Sequence, residues 1–171
     1  TVAELSKYLS IASGSNFQTN ALDGVDQGMA NITLRGMDHA STLVLINKKR
    51  QTHSGTPSDE GEGYIDINII PEIALYRIEI LKDGASSLYG SDAVAGVINF
   101  QTYQQFDGMR LSLGSQKTSN YDQRDNSLGA LFGGDVFGGS YVFAFSSLNK
   151  SPLNASSIPK FAELGLSGLG N

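Results

Sequence analysis

The sequence predicts an α+β domain followed by a run of antiparallel β-strands. Three observations carry that prediction. Residues 71–102 compress a strand, a one-turn helix and a second strand into one stretch with almost no slack. The chain opens on an amphipathic helical pattern. After Thr102 the period of apolar residues settles to two through three successive segments, the mark of strands with unlike faces.

Composition sets the outer bounds. At 171 residues there is room for one domain and part of another. The net charge of −5 leaves no basic stripe to neutralise phosphates, which argues against a nucleic-acid partner. Without cysteine there are no disulfides and no thiolate metal sites. No run approaches the roughly 18 apolar residues of a spanning helix. No signal peptide precedes the first helix, so the chain reads as a mature or trimmed piece. The twenty glycines concentrate after residue 84, where strands and tight turns are expected.

Taken in order, Thr1 and Glu4 form a capping-box pattern, and Val2, Leu5, Tyr8 and Leu9 share one face of a helix ending near Ser10. Residues 13–30 are polar and Gly-rich. Asp23 and Asp26 beside glycines suggest a calcium loop, but the terminal glutamate of that motif is missing, and a turn-rich loop is the favoured reading. Residues 31–35 read as a short strand ending at Arg35-Gly36. Leu43–Ile46 is continuously apolar, a strand buried on both faces. Asn47-Lys48 follows as a hairpin turn. Lysine with φ > 0 is unfavourable, so a wider turn through Lys48, Lys49 and Arg50 is expected. Residues 52–64 have no period and read as an exposed loop; His53, Asp59, Glu60 and Glu62 match no metal-ligand spacing.

Pro71 stands where a helix starts, because a missing N–H costs nothing in a first turn. Tyr76, Ile78 and Ile80 then alternate with Arg77, Glu79 and Leu81. Asp83-Gly84 breaks that strand, residues 85–90 make a helical turn stopped by Gly90, and residues 93–101 form a strand carrying Gly96 near its start. Beyond Thr102, Met109, Leu111 and Leu113, then Leu128, Ala130 and Phe132, then Tyr141, Phe143 and Phe145 alternate with small or polar residues, with a turn at residues 133–139. Such strands suit a transmembrane β-barrel or a meander with one solvated face equally well. Residues 149–171 read as the next long loop.

Residues 71–102 closely resemble the plug-domain signature of TonB-dependent outer-membrane receptors. That signature reads approximately Ile-Glu-Arg-Ile-Glu-Val-Leu-Lys-Gly/Asp-Gly/Pro-Ala-Ser-Ala-Leu/Ile-Tyr-Gly-Ser-x-Ala-Ile-x-Gly-Val-Val-Asn, and the match runs through about twenty positions. The opening Thr1–Leu5, the Leu34-Arg35-Gly36 site and the Asp66–Pro71 approach are also similar to the family, while the Asn-Lys turn departs from its usual Asn-Gly or Asp-Gly. The resemblance implies a small mixed sheet with short helices over residues 1–104. Residues 105–171 would then be the first strands of a roughly 22-stranded barrel, so the chain would be a fragment, because three strands cannot close in lipid.

What the resemblance implies for function is gated, energy-coupled import. A scarce nutrient (siderophore, cobalamin or oligosaccharide) would bind apical loops, and a pull from the TonB–ExbB–ExbD complex would shift the plug inside the barrel lumen. The TonB box that receives the pull lies upstream in the family and is absent from this chain. The partners implied are the remaining barrel, outer-membrane lipid, the nutrient and that complex. Matched by motif, Arg35 and Lys82 would lock the plug to carboxylates of the barrel wall. Arg77 and Glu79 are read as structural strand charges, with a cross-strand pair expected somewhere among Arg35, Arg77, Glu79 and Lys82, and Gly36, Gly84, Gly90 and Gly96 as structural turns. If residues 47–50 turn at the periplasmic end, Phe17, Asp38, His39, His53 and Tyr64 lie in the opposite, ligand-facing loops. No nucleophile elbow or phosphate loop is present, so no enzyme activity and no cofactor are expected. The competing expectation is a free-standing periplasmic or secreted binding module of the same fold.

Overall fold

Thr42–Ile46 forms strand β1, and it is enclosed on both sides, as its unbroken apolar run requires. Val44 points into a cluster with Val2, Ile32, Leu34, Ile67, Ile98 and Phe100. Leu43 and Leu45 point the other way, against Ala85, Ala93 and Val97. The computed structural model describes residues 2, 5, 8–12, 30–55, 63–83, 85–117 and 123–151. The chain divides into two compact units, Thr1–Gln104 and Gln105–Asn171.

The first unit is built on a four-stranded mixed sheet. Its other strands are β2 (Lys49–Arg50), β3 (Leu75–Leu81) and β4 (Gly96–Thr102), in the spatial order β2-β1-β4-β3. β1 and β4 run parallel, with Thr42 opposite Gly96 and Ile46 opposite Phe100. β3 returns antiparallel to β4, and β2 antiparallel to β1. Short helices join them: 3-10 turns at Ile67–Ile69, Glu72–Ala74 behind Pro71, and Ser91–Ala93, and one α-turn, α1 (Ser86–Tyr89). Gly90 closes α1 at φ 90°. Gly96, at φ 137°, lies where a Cβ would come 2.6 Å from the Leu81 carbonyl oxygen and 2.8 Å from Leu34 Cδ1, so only glycine fits at this crossing.

Several expectations need correction. Residues 31–34 are buried, as a core strand would be, but join no sheet. Bonds around them include Ala30 N–H donating to Asp66 Oδ1, Leu34 N–H to Thr42 Oγ1, and Arg35 N–H to the Ile11 carbonyl. The Asn47-Lys48 turn is the tight two-residue form, with φ 52° and 65°, and Ile46 faces Lys49 directly. Tyr76 leaves the Ile78–Ile80 face because the β3–β4 register slips between Leu75 and Arg77, so Leu75 packs on the core in its place. Strand β4 starts at Gly96 and not at Ala93. At the N-terminus Val2 and Leu5 are helical and Val2 is buried, but Tyr8 is 87% exposed, outside the apolar stripe. The capping pair Thr1 and Glu4 and the loop at 13–29 lie outside the described residues.

The second unit is a three-stranded antiparallel sheet of β5 (Gly108–Lys117), β6 (Arg124–Val136) and β7 (Gly139–Lys150). The register sets Met109, Phe132 and Phe143 abreast, and likewise Leu111, Ala130 and Phe145, so one face is apolar. Phe132 stacks on Phe143 at 5.4 Å between ring centroids. The other face sets Ser112, Gly129 and Ser146 abreast. The turn expected over 133–139 narrows to Phe137-Gly138, both at positive φ, and residues 133–136 belong to β6. Among the described residues no helix is long and apolar enough to cross a membrane.

Candidate functional site

The Asn47-Lys48 turn sends the chain back along the sheet edge, so residues 50–54 pass alongside β1 toward its N-terminal end. There an open cavity of about 160 Å³ forms, with Arg50, Gln51, His53, Tyr64, Thr42 and Asp92 among its walls. Beside it Ser54 N–H donates to the Tyr64 carbonyl at 2.8 Å, joining the segment that carries His53 to the one that carries Tyr64. Gly63 lies so close under His53 that a Cβ would sit 2.5 Å from Nδ1, so the glycine lets the imidazole lie flat on the backbone. Tyr64 is 3% exposed and forms part of the floor.

One wall carries a charge pair. Arg50 donates to Asp92 Oδ2 at 2.5 Å and to the Tyr89 carbonyl, tying edge strand β2 to the end of α1 and the 3-10 turn after it. The Arg50 hydrogen bond, helped by Ser91 Oγ, holds the Asp92 carboxyl below its usual range. The pair is neutral overall, and the remaining wall offers amide, hydroxyl and imidazole groups. Such a surface can bind a small polar ligand through hydrogen bonds. Among the described residues no group of three His, Asp or Glu side chains is placed to hold a metal ion.

Of the residues predicted to face ligand, His53 and Tyr64 meet in this cavity. Asp38 is exposed and precedes the 3-10 turn His39–Ser41, without a capping bond. His39 opens that turn, and Phe17 lies outside the described residues. Arg50 and Asp92 were missed, because residues 42 apart in sequence carry no local signal of their pairing.

The two residues predicted to lock the domain to a barrel are brought together. Arg35 sits at φ 60° beside Gly36 at φ 65°. That turn aims its guanidinium at the Lys82 carbonyl and the Asp83 carboxylate. The Lys82 side chain is exposed and has no ion-pair partner among the described residues. Gly84 lies outside the described residues. Of the strand charges, Arg77 and Glu79 pair along one strand at 2.8 Å. Across the strands Glu79 instead accepts from Asn99 Nδ2 at 2.9 Å and Gln101 Nε2 at 2.7 Å. The Asn99 bond, together with the Arg77 charge and the Gln101 bond, outweighs desolvation and holds the Glu79 carboxyl below its usual range.

Asn99 and Asn47 were also missed, and they fix the strained turn. Lys48 N–H donates to Asn99 Oδ1 at 2.8 Å. Asn47 makes a reciprocal pair with Thr102, Nδ2 donating to Oγ1 and Oδ1 accepting from the backbone N–H, both at 2.9 Å. The signal for the tight turn was Asn47 itself, since asparagine tolerates positive φ better than most residues.

Comparison with known proteins places residues 2–97 in the TonB-dependent Receptor Plug Domain model. The iron-regulated outer membrane virulence protein of Vibrio cholerae serotype O1, in two strains, is 43% identical over 82 residues. That match covers 46% of this chain and 13% of the relative, so the chain spans a small part of its relatives' length. Among solved structures, the siderophore receptor PirA from Pseudomonas aeruginosa matches at TM-score 0.57 and 22% identity, over 86% of this chain and 25% of that one. A ferric enterobactin receptor of the same organism, PfeA, solved in complex with enterobactin, matches at 0.53 and 22%, over 89% and 23%.

Proposed function

Because the chain belongs to the TonB-dependent receptor plug domain family, we propose that it gates an energy-coupled transporter, binding its ligand at the His53–Tyr64 cavity and admitting it when the plug is pulled. Membership makes it part of an outer-membrane receptor and not an enzyme. The observation that carries the reading is the family match over residues 2–97, lying on a mixed sheet followed directly by strands with one apolar face. Those strands then begin the barrel, with Met109, Leu111, Phe143 and Phe145 toward lipid.

The ligand is a scarce small molecule. An iron chelate is the first candidate, given an iron-regulated relative and two siderophore-receptor neighbours; cobalamin and oligosaccharide are the alternatives. Arg35 and Lys82 face carboxylates of the barrel wall. Arg35 already holds Asp83, which positions its remaining donors. Removing one partner of such a partly desolvated pair costs up to several kcal/mol.

The test is location and uptake. Outer-membrane fractions should yield a heat-modifiable product several times larger than 18.2 kDa. Uptake of labelled ferric siderophore should stop when the inner membrane is de-energised. A soluble product near 18 kDa would overturn the transporter reading in favour of a free-standing binding module. Energy-dependent uptake of a sugar or cobalamin instead would reassign the ligand.

A further inference from the structure

The register of the second unit sorts its charges between two faces. Every second residue of β5, β6 and β7 lies on the apolar face. Counted from the β6–β7 turn, its ranks begin with Gly134 and Tyr141, then Met109, Phe132 and Phe143. Leu111, Ala130 and Phe145 come next, then Leu113, Leu128 and Ser147. Two polar ranks follow: Ser115, Asn126 and Asn149, and then Lys117 directly opposite Arg124. The two carboxylates of these strands, Asp125 and Asp135, fall on the other face. The only charges the three strands place on the apolar face are therefore cationic, and they gather at one end. The other end is aromatic: the rings of Tyr141 and Phe143 lie 5.8 Å apart between centroids, and Phe137 stands exposed on the turn.

The distance between those ends fits a membrane. From Gly134, opposite Tyr141, to Arg124 is ten residues of β6, or about 34 Å of strand. At a tilt of about 40° this spans about 26 Å of height, against about 25 Å for the apolar band of a barrel. Lys117 and Arg124 then stand where hydrocarbon gives way to headgroups. One rank inside them, Ser115 Oγ donates to Asn126 Oδ1 at 2.9 Å, which meets part of that rank's hydrogen bonding within the protein. Like charges directly opposite repel across a ladder, and an anion between them offsets that repulsion. Both side chains are exposed. Their Cβ atoms are about 5 Å apart in such a pair, so one phosphate can meet the guanidinium through two bonds and the ammonium as a point charge.

We infer that Lys117 and Arg124 form a site for a phosphate-bearing lipid headgroup in the outer leaflet. The leaflet follows from the connections. β6 and β7 are joined by the two-residue turn Phe137-Gly138, and β5 and β6 by residues 118–123; barrels keep their short turns on the periplasmic side. The bound lipid fixes the height of β5 and β6 at one interface, while Tyr141 and Phe137 mark the other. The site rests on the barrel reading proposed above; the sorting of charge rests on register alone.

The lipid composition beside one residue tests this, in the full receptor in nanodiscs. Leu113→Trp sets an indole two ranks from the cations, where lipids with brominated acyl chains quench it; the receptor without that substitution supplies the background. Brominated phosphatidic acid diluted into phosphatidylcholine should be enriched beside this indole relative to brominated phosphatidylcholine. Adding Lys117→Gln and Arg124→Gln should lower the enrichment roughly fivefold for each cation removed, the factor for about 1 kcal/mol. Tyr141→Trp, at the opposite interface, should report no change when the same cations are removed. Heat-modifiable migration shows that each variant is folded. Equal quenching by the two lipids, an enrichment indifferent to both cations, or the same loss at Tyr141→Trp would overturn the site. Displacement of the lipid by equimolar inorganic phosphate would overturn it too, in favour of free phosphate. A receptor that inserts without enrichment loses the site and keeps the barrel, and one that fails to insert loses both. Enrichment without energy-dependent uptake keeps the site and removes the transport reading.

Discussion

The two units use the same strand geometry to opposite ends. In the first, β1 and most of β4 are buried, and clusters of apolar side chains close over both faces of β1. In the second, β5 is exposed along its whole length, and Leu113 is 81% exposed. Both carry apolar residues in quantity; what differs is their period. Continuous apolar runs demand cover on both sides, while strict alternation concentrates apolar groups on one face and leaves it for a surrounding solvent. A soluble domain rarely exposes so contiguous a patch, so the alternating unit is the one whose apolar face calls for cover from outside it, while the continuous one supplies its own core.

The largest effects should separate the two units most clearly. Phe100→Ala empties the centre of the first core, where Phe100 is completely buried, and should cost about 3–5 kcal/mol. Phe143→Ala, at a ring 58% exposed, should cost far less in denaturant titrations read by hydrogen exchange. Equal losses would mean that the apolar face of the second unit is a closed core too.

A charge on that face gives the next test. Leu111→Arg should destabilise insertion by about 2–4 kcal/mol if this position lies near the bilayer midplane, seen as loss of heat-modifiable migration. Ser112→Arg, on the opposite face, should be tolerated. The reverse pattern would invert the assignment of faces.

The smallest effect concerns the polar line across the first sheet. Glu79 is held below its usual 4.5 by Asn99, Arg77 and Gln101. A depressed carboxyl pKa contributes stability that is complete above the unfolded value and is lost as pH falls through the lower folded value. The first unit should therefore weaken below about pH 4.5. Glu79→Gln should flatten that part of the pH profile while leaving neutral pH nearly unchanged. An unaltered profile would assign acid sensitivity to other carboxylates.

Much of this was legible in order along the chain. The buried strand at Leu43–Ile46, the strand–helix–strand stretch after Pro71 and the three alternating strands were read from period and punctuation, because periodicity is local and records which faces are covered. The misreadings share one cause. Residues 31–34 looked like a strand because Ile32 and Leu34 alternate with Asn31 and Thr33, yet nothing in the sequence says whether a neighbour lies within bonding distance. The Lys48 turn looked too costly, because the bonds that hold it come from Asn99 and Thr102, more than fifty residues away.

The candidate site divides the same way. Of the five loop residues expected to face ligand, His53 and Tyr64 line the cavity. Arg50 and Asp92 complete its wall only because the hairpin folds back against the segment after α1. The sequence by itself determined the family, the element order and which faces are apolar, since these follow from short-range pattern. Only the tertiary structure decided that β1 and β4 run side by side in the same direction, which turns admit positive φ, and which distant polar groups meet, because those depend on packing between segments that share no local signal.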